Sequence, residues 1–383
     1  MHFVLTDNLE GASAPEGVST IGIEQGTFED NYCESVLELS VDATRFAGGS
    51  FLRDSTFHNN QATRIITVNE DSASLNARSV PPYSFERCNF DNNTATTIAE
   101  FNNNGASIAL ETCNFRNNTG TILKVANGTI TTLSFTGFTG NIREAGGGSM
   151  IDVTSSQLVM DSSFFQENDY SGSGLQDSIV DIRSSASAEA LLSTSASCQN
   201  CLFEGNKVTS EVVAISSYQN ADFSGSSFTG NVAQNSIVKT TFNELFTCQN
   251  CIFSENLQTL QAQESNKAIV FLQGNGQLEQ CLFDNNAFQR AIVMMSSTES
   301  SGFVVDSCFV NNTITGDSIL MYGYEPSSQV VNIVTQTNFV NNNILANTVS
   351  GCNGLLTGTV SGAGTCQEIV GASCNANFLQ SSV

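Results

Sequence analysis

The pattern Phe-x-x-Asn returns twelve times in this 383-residue chain, and nothing else in the sequence restricts its fold as strongly. The phenylalanines are Phe28, Phe57, Phe90, Phe115, Phe138, Phe165, Phe203, Phe228, Phe253, Phe283, Phe309 and Phe339. Successive copies stand 23 to 38 residues apart. A period in this range is the mark of a solenoid, whose core grows along one axis as units are added.

Each repeat has three parts. An alternating apolar segment such as Gln157-Leu158-Val159-Met160 leads into the Phe-x-x-Asn step. A second apolar segment follows, such as Ser178-Ile179-Val180-Asp181-Ile182 or Ala291-Ile292-Val293-Met294-Met295. Short runs of period 2 bounded by Ser, Gly and Asn read as half-buried strands, and no stretch sustains a helical period. The repeat is too short for a propeller blade of roughly 40 residues. Three short strands wound into one coil fit its length. Stacked coils place Phe over Phe in the interior and Asn over Asn at a turn, where the amide satisfies backbone groups otherwise buried without a partner. Twelve coils at the strand spacing of about 4.8 Å make a rod of roughly 58 Å.

Segments such as CNFDNNTAT (88–96), CNFRNNTGT (113–121) and CLFDNNAFQ (281–289) resemble the repeats of right-handed parallel β-helix proteins of the pectin-lyase-like superfamily. The Phe-x-x-Asn form also resembles the repeats of chlamydial polymorphic outer-membrane proteins. The resemblance covers about residues 20–350. It implies an all-β, right-handed, single-stranded parallel β-helix of about twelve rungs over 1–350, with 351–383 as a Gly- and Cys-rich cap or the start of another module.

Acidic residues outnumber basic ones 37 to 13, for a net charge of −24. Such a surface repels nucleic acid and anionic headgroups and keeps an edge-rich β-protein soluble. No window approaches the roughly 18 consecutive apolar residues of a membrane helix, and Met1–Glu10 lacks the basic and apolar regions of a signal peptide. Asn92, Asn117, Asn127 and Asn311 open N-glycosylation sequons, which suits an extracellular or cell-surface chain.

Cys88, Cys113, Cys201, Cys251 and Cys281 precede the repeat Phe by two residues, where other repeats carry Ser or Thr; Cys308 precedes it by one. The simplest reading is a stack of small inward side chains. The spacing of adjacent rungs also suits disulfides, for example Cys88 with Cys113, or Cys281 with Cys251 or Cys308. CQNC occurs at Cys198–Cys201 and again at Cys248–Cys251. A rung separates the two pairs, so they stand about 10 Å apart. That is too far for one zinc, and a local disulfide or reduced stack is expected instead.

Sugar-processing enzymes of this fold need clustered carboxylates, often with calcium, or a basic residue that takes a sugar proton. The chain has no Asp-Asp, His-Gly or Arg-x-Lys, and its two histidines are His2 and His58. His58 lies within a turn motif and reads as a solvated residue. One outward column carries chemistry: Thr67, Glu100, Lys124, Asp152, Asp181, Ala214, Lys239, Phe271, Met294 and Met321. Glu100, Asp152 and Asp181, with Lys124 among them and Lys239 beyond, are the candidate saccharide or calcium groove. Phe271, Met294 and Met321 form an apolar strip, read either as an exposed partner interface or as a surface covered by neighbouring loops. No other cofactor is called for. The leading expectation is a non-catalytic module for adhesion, scaffolding or glycan binding, with a glycan or a cell-surface or matrix protein as partner. A polysaccharide lyase, hydrolase or epimerase is the alternative.

Overall fold

A computed structural model describes residues 3–4, 21–41, 50–70, 83–102, 107–143, 148–172, 177–183, 195–259, 268–295, 302–315, 320–322, 332–335, 338–340, 342–344, 356–357 and 367–368. The fold is the expected right-handed parallel β-helix. Among the described residues there is no helix, and every strand pairing is parallel. Most of the Gly- and Cys-rich stretch 351–383, including Cys352, Cys366 and Cys374, lies outside the described residues.

The Phe-x-x-Asn step builds one whole face. Three-residue strands such as Thr56–His58, Asn89–Asp91 and Asn114–Arg116 pair in register, Phe57 to Phe90 and Phe90 to Phe115. These pairs belong to a 13-stranded sheet. Only the phenylalanine of each triplet points inward. Neighbouring rings from Phe28 to Phe309 lie 4.5–5.1 Å apart and within 6° of parallel. The 4.8 Å rise of a parallel sheet dictates this near face-to-face stack, although isolated rings prefer offset or edge-on contact.

Two left-handed corners bracket the Phe strand. Three residues before each Phe, φ is positive at Asp54, Arg87, Thr112 and Ser162, among others; two residues after it, at Asn59, Asn92, Asn117 and Asn285. Left-handed backbone costs an ordinary residue about 1–2 kcal/mol, which explains why Asn, Asp and Gly are frequent at the second corner.

The side chain after each corner closes it. Asn93 Nδ2 donates to Asn118 Oδ1 at 3.0 Å and to the carbonyl of Phe57 at 2.9 Å, and the Asn93 backbone N–H donates to the same Asn118 oxygen. The pattern repeats from Asn31 to Asn342. At the other corner, Ser, Thr and Cys alternate in one buried column. Thr136 Oγ1 donates to the carbonyl of Leu110, Ser163 Oγ to Leu133, and Cys88 Sγ to Leu52. Hydroxyl and thiol are interchangeable here because each is small and donates to a carbonyl of the preceding rung.

The longer strands belong to a 21-stranded sheet, and some run through a bend, as Thr119–Ser134 and Ala268–Glu279 do; two-residue strands such as Asp169–Tyr170, just past the Asn corner, form a 7-stranded sheet. Register slips at the bend, between Val125 and Gly128 and between Thr241 and Leu245. One continuous apolar core fills the coil.

Candidate functional site

The outward column predicted from sequence is a true register column. Glu100 pairs with Thr67 and Lys124, Lys124 with Asp152, Asp152 with Asp181, Asp181 with Ala214, and Ala214 with Lys239. It continues through Phe271, Met294 and Met321.

Exposure along it is uneven, which corrects the expectation of a uniformly solvated face. Thr67 and Glu100 are buried at one end, 2 % and 5 % exposed. Phe271 and Met294 are buried at the other, 3 % each, so they are not an exposed strip. They pack with Ala268 and Ala291 in a small cluster separate from the main core. Sequence alternation places a residue on the outer side of a strand but cannot show what lies over it. The face is open from Lys124 to Lys239.

The charges on this face are arranged in internal pairs. Glu100 is clamped by Arg64 Nε at 2.6 Å and Lys124 Nζ at 2.8 Å. Arg183, two residues beyond Asp181 on the same strand, grips that carboxylate with Nη2 at 2.5 Å and Nε at 3.3 Å. Lys239 Nζ reaches the buried Glu211 at 2.9 Å, and Ser210 Oγ also donates to Glu211. Four of the thirteen basic residues, Arg64, Lys124, Arg183 and Lys239, therefore pair with three acids, Glu100, Asp181 and Glu211, along one strip that also holds Asp152. The strip is close to neutral in a chain of net charge −24.

Asp152 stands apart. It makes no hydrogen bond or ion pair within the described residues, and it lies between Lys124 and Asp181. Burial raises its carboxyl above the usual carboxylate range, with the Asp181 charge adding to the shift while Arg183 and Lys124 oppose it.

Beside Asp181 the row of side chains breaks. Ala214 is the one small residue between Asp181 and Lys239 and leaves a cleft of about 230 Å³. Arg183, Ser216 and Thr241 wall one side, and Ser178, Ser210 and Glu211 line the rest. Carboxylate, guanidinium, ammonium and hydroxyl groups thus converge on a notch one side chain deep. Sequence reasoning named the acids and lysines of the column but missed Arg64, Arg183 and Glu211. Arg183 was legible two residues past Asp181, on the same side of its strand; Glu211 needed the corner geometry.

His58, on the opposite face, sits with Nδ1 3.5 Å from Asp91 Oδ2 and takes no part in the cleft. Asn92, Asn117 and Asn311 are exposed and left-handed, at φ 55°, 52° and 52°; the Asn127 side chain lies outside the described residues. Cys248 and Cys251 form a disulfide, and Cys308 is also disulfide-bonded. Cys88, Cys113, Cys198, Cys201 and Cys281 are free, buried thiols, so the structure pairs neither Cys88 with Cys113 nor Cys251 with Cys281. The first pair remains in the small-side-chain column because each thiol already has a carbonyl acceptor from the preceding rung. Burial pushes the Cys281 thiol up to about 12.

No protein-family model matches the chain, and no curated protein matches it by sequence. Solved structures do resemble it. The A-module of mannuronan C-5 epimerase AlgE6 from Azotobacter vinelandii aligns over 91 % of this chain and 92 % of its own, at 10 % identity and a TM-score of 0.42. The A-module of AlgE4 from the same organism aligns over 90 % and 91 %, at 9 % identity and 0.36.

Proposed function

We propose that the chain is a β-helix binding module whose ligand site is the notch at Ala214, and that the ligand is a polyhydroxylated chain, a glycan, lying along the column from Lys124 to Lys239. The observation that carries this reading is the break itself. A face whose charges are mostly paired with one another deepens at Ala214 into a notch lined by groups that both donate and accept hydrogen bonds. Sugar hydroxyls are matched by such mixed groups held at fixed spacing, and charge-assisted bonds to them are the stronger kind. The strip's near-neutrality lets it accept neutral or mildly acidic saccharides without the repulsion that the rest of the surface imposes. A cell-surface or extracellular setting, with a glycan or matrix partner, suits a long module of this shape. Calcium is a further proposal: it would bridge Asp152 and Asp181 only by competing with Arg183 for the second carboxylate.

Asp152 supports a second reading, a carbohydrate-active enzyme. A carboxyl held above its usual range beside a ligand notch has the character of a general acid.

The test is a glycan array and polysaccharide panel read with and without calcium, on wild type, Ala214→Phe and Asp152→Asn. Binding that Ala214→Phe abolishes, without new reducing ends or unsaturated products, supports the module. Turnover that Asp152→Asn abolishes supports the enzyme instead. Binding unchanged in Ala214→Phe would sink the assignment of this notch.

A further inference from the structure

The two CQNC motifs share a sequence but not a setting. On the rung after Cys201, the column position is filled by Ser226, and Cys198 and Cys201 are free thiols. On the rung after Cys251, it is filled by Cys281, because Ile252 and Leu282 pair in register. Cys281 Sγ donates to the carbonyl of Cys248 at 3.2 Å, which turns its sulfur towards the pair. The sulfurs of Cys248, Cys251 and Cys281 all lie within 4.8 Å of one another, and all three residues are at most 1 % exposed. Among the described residues no histidine, carboxylate or further cysteine joins them, and no other group of three such donors forms.

A cleft of about 260 Å³ lies beside Cys248. Cys248 lines it together with Thr247, Asp222 and Glu279. The two carboxylates concentrate cations beside Cys248.

We propose that, with the Cys248–Cys251 bond reduced, Cys248, Cys251 and Cys281 form a three-sulfur site for a soft cation, Cu(I). A dithiol reductant breaks the disulfide by supplying two electrons and two protons to its sulfurs and leaves as its own cyclic disulfide. Each sulfur that then ligates gives its proton to solvent. Thiolates select soft ions such as Cu(I) and Zn(II), and zinc completes four ligands where the described residues offer three. Metal–sulfur bonds of about 2.3 Å place ligand sulfurs about 4 Å apart, so on reduction the Cys248 and Cys251 sulfurs separate from their bonded distance while Cys281, within 4.8 Å of both, needs at most a small shift. Once oxidised, the disulfide removes two of the three donors, and the site exists only in the reduced protein.

The test titrates full-length protein with Cu(I) under anaerobic conditions against a chromogenic Cu(I) chelator. Reduced wild type is expected to withhold one equivalent more than reduced Cys281→Ser, and one more than unreduced wild type. Cys33→Ser, which removes a thiol far from the cluster, is expected to match wild type. Ser fills the same column position at Ser226 and Ser307, so Cys281→Ser retains the coil, as circular dichroism would confirm. The reciprocal variant, Ser226→Cys, is expected to gain one equivalent beside Cys198 and Cys201. Equal uptake by wild type and Cys281→Ser, or an equal loss in Cys33→Ser, overturns the proposal.

Discussion

Asn118 receives both the backbone and the side-chain N–H of Asn93 on one oxygen, each at 3.0 Å, while its own Nδ2 donates to the Phe90 carbonyl and to Asn141. A single buried amide thereby ties its own rung to those on both sides. Asn118→Ala would remove the acceptor of the Asn93 backbone N–H and the side-chain donor to the Phe90 carbonyl, and take one of the bonds made by the Asn93 amide and the Asn141 oxygen, in a dry corner. Each such group costs about 1–3 kcal/mol, with part recovered by relaxation. We expect a loss of about 3 kcal/mol or more in denaturant unfolding, with hydrogen-exchange protection lost first at residues 90–93 and 115–118. Uniform loss along the rod would contradict the local role.

The phenylalanine stack makes a second demand. Phe138 is fully buried, 5.1 Å from the ring of Phe115 and 4.9 Å from that of Phe165. Phe138→Ala should cost about 3–5 kcal/mol through lost burial and the cavity left between two fixed rings. Phe138→Leu should cost distinctly less. Thermal unfolding of the two variants checks the order.

Some positions should improve. Glu255 holds φ 55° at a corner where Asn285 and Asn311 occupy the same place in later rungs. Asn tolerates that conformation better than Glu, so Glu255→Asn should stabilise the chain by roughly 0.5–1 kcal/mol. A fall in melting temperature would show that the Glu255 side chain contributes more than its backbone costs.

Asp152 gives a pH signature. Its folded carboxyl is raised, so the native state binds its proton more tightly than the unfolded chain does. Stability from this group is fully present below the unfolded carboxylate value and is lost as pH rises through the folded one. Asp152→Asn, uncharged at every pH, should therefore melt higher than wild type at pH 7, and the gap should close as pH falls through the carboxylate range. A gap that persists at low pH would assign the effect to packing.

The apolar end of the column supplies a control for the binding assay. Because Met294 is buried against Phe271, Ala268 and Ala291, Met294→Asp should lower stability by about 2–4 kcal/mol through burial of an unpaired carboxylate. A variant that keeps its stability but loses a protein partner would instead restore the exposed-strip reading.

Much of this was legible in order of residues alone. The Phe-x-x-Asn period determines the parallel coil, because only stacking in register lets every Phe meet a Phe and every Asn meet an Asn. The Cys, Ser and Thr column and the register of the outward row from Thr67 to Met321 follow from the same period, since a strand alternates its faces and parallel pairing preserves the count. Tertiary structure alone decided which part of that row is open. Glu100 is buried against Arg64 and Lys124 of the adjoining strands and Phe271 against Ala268, Ala291 and Met294, and alternation carries no information about either. The notch at Ala214 exists only because its neighbours on either strand are long and its own side chain is short. The meeting of Cys281 with Cys248 and Cys251 depends on a rung closing 30 residues after its predecessor and returning to the same column. Local pattern settles what repeats; what differs between repeats gains meaning only once the coil brings distant residues side by side.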